Sequence, residues 1–350
     1  MKTLFYKIIL LLLKNYNRFY FRRIRIYGQE HIPKKGGVIF SPNHQGAFLD
    51  PLLVGTSCGS KVTSLTRSDV FGGPFQWFLD ALKMLPVFRI RDGYSSLRKN
   101  AAVFDRCHQI LGKGDHMMMF SEGSHHNEYY LQRLSKGSSR LALEAQEKFP
   151  DSIIYIVPVG INYSHHQLPW QEVHLVYGSP ILVGEFLEAY RENSSAKINQ
   201  LRETLEHAMK ACLWLPENEE HYLKKKKYIN LENTKLGFFR LREQLELDPE
   251  QLKISKKGGF LVRFWISLFS LPNLLPLIGI RRVVKLFPDI VFHNSIKYMT
   301  GLFMFAFWWK ILIFSGTYIY GISTGIGLFI GSLFFLYLRQ MLISKYKLNR

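Results

Sequence analysis

The stretch GGVIFSPNHQGAFLDP, residues 36 to 51, runs from a short apolar segment through a polar turn into a second apolar segment. It reads as a buried strand, a loop and the start of a helix, the repeating unit of an α/β sheet. The pattern recurs downstream. KVTSLT (61 to 66), HMMMF (116 to 120) and SIIYIVPVGI (152 to 161) also read as buried strands, and helical stretches are expected at 50 to 57, 74 to 83, 95 to 112 and 137 to 148. EVHLVYGSPILV, 172 to 183, adds a strand pair and 196 to 215 an amphipathic helix. The expectation is an α/β domain over 27 to 215, a mixed sheet flanked by helices. Polar residues follow the strand ends: NHQ after the first, SEGSHHN after the third, NYSHH after the fourth. Chemistry in open α/β sheets collects at such ends.

His44 and Asp50 stand on either side of that first loop. Six residues at about 100° each would leave them about 120° apart around a helix, so they meet only if Gly46 and its neighbours form a turn. If they meet, Asp50 fixes the imidazole tautomer and the other ring nitrogen is left to take a proton from an attacking hydroxyl. That is a general-base pair. Alternatively, His44 caps something local and Asp50 merely opens a helix.

The chain has 350 residues, 47% of them apolar, enough for a sizeable core with appendages. Lys and Arg outnumber Asp and Glu by 46 to 27, a net charge of +19 that suits an anionic partner. Nucleic acid is not favoured: no recognition motif accompanies the charge, and membrane segments account for it. Cys58, Cys107 and Cys212 are odd in number and far apart, which indicates neither a disulfide framework nor a zinc site.

The apolar residues are unevenly spread. From Tyr298 to Leu338 the only charge is Lys310. That run makes about 60 Å of helix, two crossings of a hydrocarbon core roughly 30 Å thick. Arg281, Arg282, Lys285 and Lys297 precede it, and Arg339, Lys345, Lys347 and Arg350 follow. By the positive-inside rule both ends lie on the cytoplasmic side, giving a transmembrane hairpin over 298 to 340 that breaks near 315 to 321. A third apolar piece, within 259 to 297, is interrupted by Pro272 and Pro276 and reads as interfacial or re-entrant. Residues 1 to 26 read as an interfacial helical anchor with Arg22, Arg23 and Arg25 among lipid phosphates, and 216 to 258, with LKKKKY at 223 to 228, as a basic linker or helical extension.

Other chemistries find little support. GTSCG, Gly55 to Gly59, fits the G-x-S-x-G elbow of serine hydrolases, but it follows a helix and precedes a strand, the reverse of what the elbow requires. The pairs His125-His126 and His165-His166 lack a spaced carboxylate partner, so no metal is expected. There is no phosphate-cradling glycine loop for nucleotide or nicotinamide chemistry.

Four ordered stretches resemble the motifs of the membrane-bound glycerophospholipid acyltransferases. Asn43-His44 with Asp50 is similar to the first, N-H-x4-D, with one extra residue, a spacing also seen in fungal glycerol 3-phosphate and dihydroxyacetone phosphate acyltransferases. LPVFR, Leu85 to Arg89, looks like the second, with Lys83 where glycine is common. FSEGSHHN, Phe120 to Asn127, resembles the third without its frequent arginine, and IVPVG, Ile156 to Gly160, the fourth. The resemblance covers residues 27 to 182.

The resemblance implies transfer of an acyl chain from acyl-CoA or acyl carrier protein to a hydroxyl of 1-acylglycerol 3-phosphate or glycerol 3-phosphate, without a cofactor. It implies His44 as base and Asp50 as its orienter. Asn43, Arg89, Glu122, Gly123, Ser124, His125, Lys136 and Pro158 would form the acceptor site. Arg89 offers a bidentate fork to phosphate and Gly123 a close backbone approach. A carboxylate repels phosphate, so Glu122 is expected to hold Arg89, a backbone N–H or an acceptor hydroxyl; Lys136 or His125 stands in for the missing arginine. A lyso-amino lipid acceptor and a non-catalytic membrane-binding protein of the same fold are the alternatives.

Overall fold

The computed structural model describes residues 2–71, 76–88, 99–247 and 258–346. Its centre is a mixed sheet of eight strands: β1 (Arg23–Tyr27), β2 (Gly37–Pro42), β3 (Val62–Arg67), β4 (Met84–Val87), β5 (His116–Met118), β6 (Ile154–Tyr163), β7 (Glu172–Tyr177) and β8 (Ile181–Leu182). They lie in the order β1-β7-β6-β2-β5-β3-β4, with β8 beside the start of β6. β6 is parallel to β2 and antiparallel to β7 and β8, so the sheet is mixed as expected.

Both faces are covered, which is why the strands read as continuous apolar runs. Alternation along β2 sends Ile39 to one layer, with Leu111, Leu141 and Leu205 from the helices Lys99–Gly112, Gly137–Lys148 and Ser194–Ala211. Val38 and Phe40 go to the other, with Leu53 of the helix Leu49–Ser57 and Tyr20 of the helix Lys2–Tyr20.

The two edge strands were not among the strands read from composition. β4 contains Pro86, which cannot donate to a ladder and is tolerated at an edge. β1 is basic, RIRIY, and lies within the segment expected to be an anchor. There the structure corrects the boundary: β1 pairs in parallel with β7, so the sheet domain begins before residue 27. Arg25 turns to Glu172 at 3.6 Å and to the Lys235 carbonyl at 3.1 Å instead of to lipid. The helix Lys2–Tyr20 does keep an apolar outer stripe, Leu4, Ile8, Leu11, Leu12 and Phe19, all exposed. Its inner side is fixed to the C-terminal helices. Tyr298, fully buried, packs edge-on against Tyr16 and Tyr20 at 4.7 and 4.8 Å and donates to Asn17 Oδ1 at 2.6 Å. Such aromatic pairs are worth about 0.5–1.5 kcal/mol each beyond burial.

The C-terminal region is helical: Phe260–Ser270, Leu274–Lys285, Phe292–Tyr320 and Ile322–Tyr346. Phe260–Lys285, Phe292–Tyr320 and Ile322–Tyr346 are each long and apolar enough to cross a membrane, which marks the chain as a membrane protein. The last two form a hairpin reversing at Gly321, whose φ of 91° suits glycine. The contacts of Phe260–Lys285 show that it folds back on itself. Ile266 packs with Ile343 and with Leu168 of the sheet domain, whereas Asn273 donates to the Ser332 carbonyl at 2.8 Å, eleven residues further from the domain along the same helix. Beyond the break, Pro272 accepts from Trp308 and Gly279 lies against Met304, so the second arm climbs back along Phe292–Tyr320. Pro272 and Asn273 thus form the tip of a re-entrant pair, with the exposed Leu271, Leu274 and Leu275 around it.

Candidate active site

β6 is parallel to β2 with Pro42 opposite Val159, so residues 161 to 163 of β6 run past the end of β2 and flank the loop that follows it. On the other side β5 pairs Met118 with Phe40, bringing the chain from Phe120 to Glu122 alongside the same loop. Three strand ends therefore converge on His44.

His44 Nδ1 lies 2.9 Å from Asp50 Oδ2. The two meet because residues 44 to 48 form a turn, not helix, and Asp50 sits in the first turn of Leu49–Ser57. The same Asp50 oxygen accepts the backbone N–H groups of Gln45 and Gly46, each at 2.8 Å, and Oδ1 accepts from Tyr163 Oη at 2.6 Å. Four donors offset the burial of a fully enclosed carboxylate. Burial, reinforced by Asp50, holds the Tyr163 phenol well above its ordinary range, so it remains a donor. Ala47 takes a positive φ of 47°, and a Cβ on Gly46 would fall 2.6 Å from Tyr163 Oη and 2.7 Å from Asp50 Oδ1, so only glycine fits that corner. With Nδ1 donating to the carboxylate, Nε2 carries the lone pair. The imidazole is 17% exposed and stacks on Phe120 at 4.0 Å.

Glu122 holds a backbone N–H, one of the roles read for it. Its Oε1 accepts from His44 N at 2.8 Å, and its Oε2 from His126 Nε2 at 2.6 Å and from Gln132 N at 3.1 Å. The side chain is fully buried. It ties the third-motif loop to the base. Gly123 has a φ of 73° with open space where a side chain would stand, though its own N–H is turned to the Phe120 carbonyl at 3.2 Å. Ser124 is exposed beside it. His125 stands edge-on to His44 with ring centres 5.5 Å apart. Lys136 is exposed at the start of Gly137–Lys148, next to Ser135, whose N–H donates to the Ser121 carbonyl. Lys136 is therefore near the third motif in the chain path.

Two of the expected substrate contacts are corrected. Asn43 is fully buried and spends its amide on Ile161, donating to its carbonyl at 3.1 Å and accepting from its N–H at 2.6 Å. It clamps β2 to β6. Pro158 is buried within β6, packed by Gly178, with Ser41 as its register partner. Neither is available to a ligand. Arg89 lies outside the described residues.

Residues that sequence reasoning did not assign to the site surround it. Tyr163 stood in the NYSHH cluster at a strand end, the signal that could have found it. Ser295, fully buried at the start of Phe292–Tyr320, donates to the Gly46 carbonyl and accepts from Leu49 N at 3.1 Å. Nothing in the apolar C-terminal sequence signalled that contact. Among the described residues no group of three His, Cys, Asp or Glu is placed to hold a metal ion.

Parts of the chain are similar to known acyltransferases. Residues 23–162 match the family model described as Acyltransferase. Glycerol-3-phosphate O-acyltransferase 1 of Saccharomyces cerevisiae is 27% identical over 113 residues, 32% of this chain and 15% of that protein. An uncharacterized acyltransferase of Schizosaccharomyces pombe is 30% identical over 90 residues, 25% of this chain and 13% of that protein. The matches thus span less than a fifth of either relative. Among solved structures, the 1-acyl-sn-glycerophosphate acyltransferase PlsC of Thermotoga maritima aligns over 59% of this chain and 79% of its own, at 19% identity and a TM-score of 0.43. Residues 23–162, the part of the chain that matches the Acyltransferase model, hold the His44–Asp50 pair and Glu122.

Proposed function

We propose that the protein transfers a fatty acyl chain from the thioester of acyl-CoA or acyl carrier protein to a hydroxyl of 1-acylglycerol 3-phosphate or glycerol 3-phosphate. The observation that carries this reading is His44 itself: Nδ1 committed to a buried carboxylate and Nε2 without a hydrogen-bond partner among the described residues, at the meeting point of three strand ends in the segment that matches the Acyltransferase model. Nε2 takes the proton from the acceptor hydroxyl as its oxygen attacks the thioester carbonyl. The tetrahedral intermediate then collapses, the carbon–sulfur bond breaks, and the proton passes from the imidazolium to the leaving sulfur. Asp50 keeps the ring in one orientation and stabilises its charged form. General-base assistance of this kind is worth about 10²–10⁴-fold.

All covalent steps are covered by side chains and the two substrates, so no cofactor is required. The partners are the acyl donor, the phosphate-bearing acceptor and membrane lipid. The basic residues flanking the hairpin support, by the positive-inside rule, a cytoplasmic position for the sheet domain and both hairpin ends.

The test uses the full chain purified in detergent with labelled long-chain acyl-CoA or acyl carrier protein, and glycerol 3-phosphate and 1-acylglycerol 3-phosphate in parallel. Labelled product from one acceptor supports the reading and selects the acylation step. Folded protein giving no product with either acceptor and either donor contradicts it.

A further inference from the structure

The third-motif loop makes a contact that belongs to neither the family segment nor the sheet. His125 Nε2 lies 2.9 Å from Asp289 Oδ2, in the short connection that follows the re-entrant pair. Asp289 is itself fixed there: its Oδ1 accepts from Val291 N at 3.0 Å at the entrance to Phe292–Tyr320. Two further contacts lock that connection to the site. The ring of Phe292 meets His125 edge-on at 4.9 Å, and Ser295 grips the backbone of Gly46 and Leu49. His125 is thus held between Phe292 and His44, and two His–carboxylate pairs stand side by side, one from the sheet domain and one completed by the membrane region.

We infer that Asp289 is a positioning residue of the acceptor site: it holds His125 as a cationic donor for the phosphate of the acceptor. The inference rests on the acyl-transfer reading above and adds to it a residue 127 positions beyond the end of the family match. His125 stands where the related motif often carries arginine. An imidazole whose Nε2–H is held by a carboxylate can offer a second N–H, at Nδ1, only as the imidazolium, and that is the form the inference places between Asp289 and the acceptor phosphate. Nδ1 of His125 has no protein partner among the described residues, and its ring lies 5.5 Å from that of the base, within reach of an acceptor whose hydroxyl is on His44. Burial opposes ionisation of Asp289, yet the bond from His125, the Val291 N–H and the charges of His125 and His293 bring its carboxyl below the ordinary range. The other titratable groups around the pair are committed: His44 to Asp50, His126 to Glu122, and His293, whose charge also bears on Asp289, to the Phe287 carbonyl.

The test is acceptor kinetics of the full chain between pH 6 and 8.5 for Asp289→Asn, Asp289→Glu and the double variant Asp289→Asn with His125→Arg. Asp289→Asn raises the acceptor KM about tenfold at pH 8, the scale of one charge-assisted hydrogen bond, with kcat and the acyl-donor KM little changed. The defect is expected to shrink toward pH 6, in the range where an ordinary imidazole gains its second proton. Asp289→Glu restores the wild-type KM, and the double variant restores it independently of pH. Unaltered acceptor KM in Asp289→Asn overturns the inference, as does a loss of kcat with no pH dependence and no rescue by arginine, which is the mark of a merely structural contact. Should wild type itself make no product, the acyl-transfer reading fails separately. Imidazole ¹⁵N shifts of His125 on titration with glycerol 3-phosphate then decide: a shift in wild type that is lost in Asp289→Asn supports the inference, and no shift overturns it.

Discussion

The hydroxyl of Tyr163, the last residue of β6, donates to Asp50 Oδ1 at 2.6 Å, while the opposite oxygen of Asp50 holds His44 and the turn that carries it. The carboxylate is therefore gripped from the sheet on one side and from its own loop on the other. A base fixed in this way has little freedom to swing off its reaction path.

Tyr163→Phe removes one of four donors to a buried carboxylate and leaves the ring in place. It is expected to cost about 1–3 kcal/mol of stability and about tenfold in kcat, with the acyl-donor KM unchanged. Thermal unfolding and steady-state kinetics on one preparation check it. Wild-type kcat would show that Tyr163 is not part of the support.

Glu122 accepts three N–H groups on two oxygens, so Glu122→Gln turns one acceptor into a donor facing a donor. The expected penalty is again about 1–3 kcal/mol, together with a fall of at least tenfold in kcat because the His44 backbone loses its tether. An effect on acceptor KM alone would instead identify Glu122 as a substrate contact.

Burial holds His166 well below its ordinary range, and burial also lowers His116 and His174. Below the ordinary value of about 6.5 the unfolded chain binds protons that these folded imidazoles refuse, so stability falls as pH drops. The melting temperature is expected to be lower at pH 5.5 than at pH 7.5. His166→Gln preserves a donor to Gln45 Oε1 and removes one titrating group, which reduces that difference. An unchanged pH dependence would place its origin elsewhere.

The re-entrant pair makes a topological prediction. The three native cysteines are buried, so single introduced cysteines can be probed over a quiet background. In sealed vesicles an impermeant maleimide should reach Gly259→Cys and Lys285→Cys from one side and Gly321→Cys from the other. Labelling of residues 259 and 285 from opposite sides would make Phe260–Lys285 a true span.

Much of this arrangement was legible in the sequence. Short apolar runs marked β2, β3, β5 and β6, and the His44–Asp50 pair was findable because a glycine between them permitted a turn. What sequence could not supply was long-range contact. Asn43 appears beside His44 as a ready ligand contact, yet its amide serves Ile161, a pairing set only by the register of β2 and β6. Asp289 and Ser295 lie in a region whose composition speaks of lipid, so their approach to the site depends on how the helices fold back. β1 was hidden because a basic edge strand and a membrane anchor have the same composition.

The central claim is tested most directly by His44→Ala in the detergent acyl-transfer assay with the acceptor that wild type uses. The substitution removes a half-buried ring without opening the core, and the account predicts loss of product by about 10²–10⁴-fold with folding and membrane association intact. Product formation at the wild-type rate in that variant would contradict it.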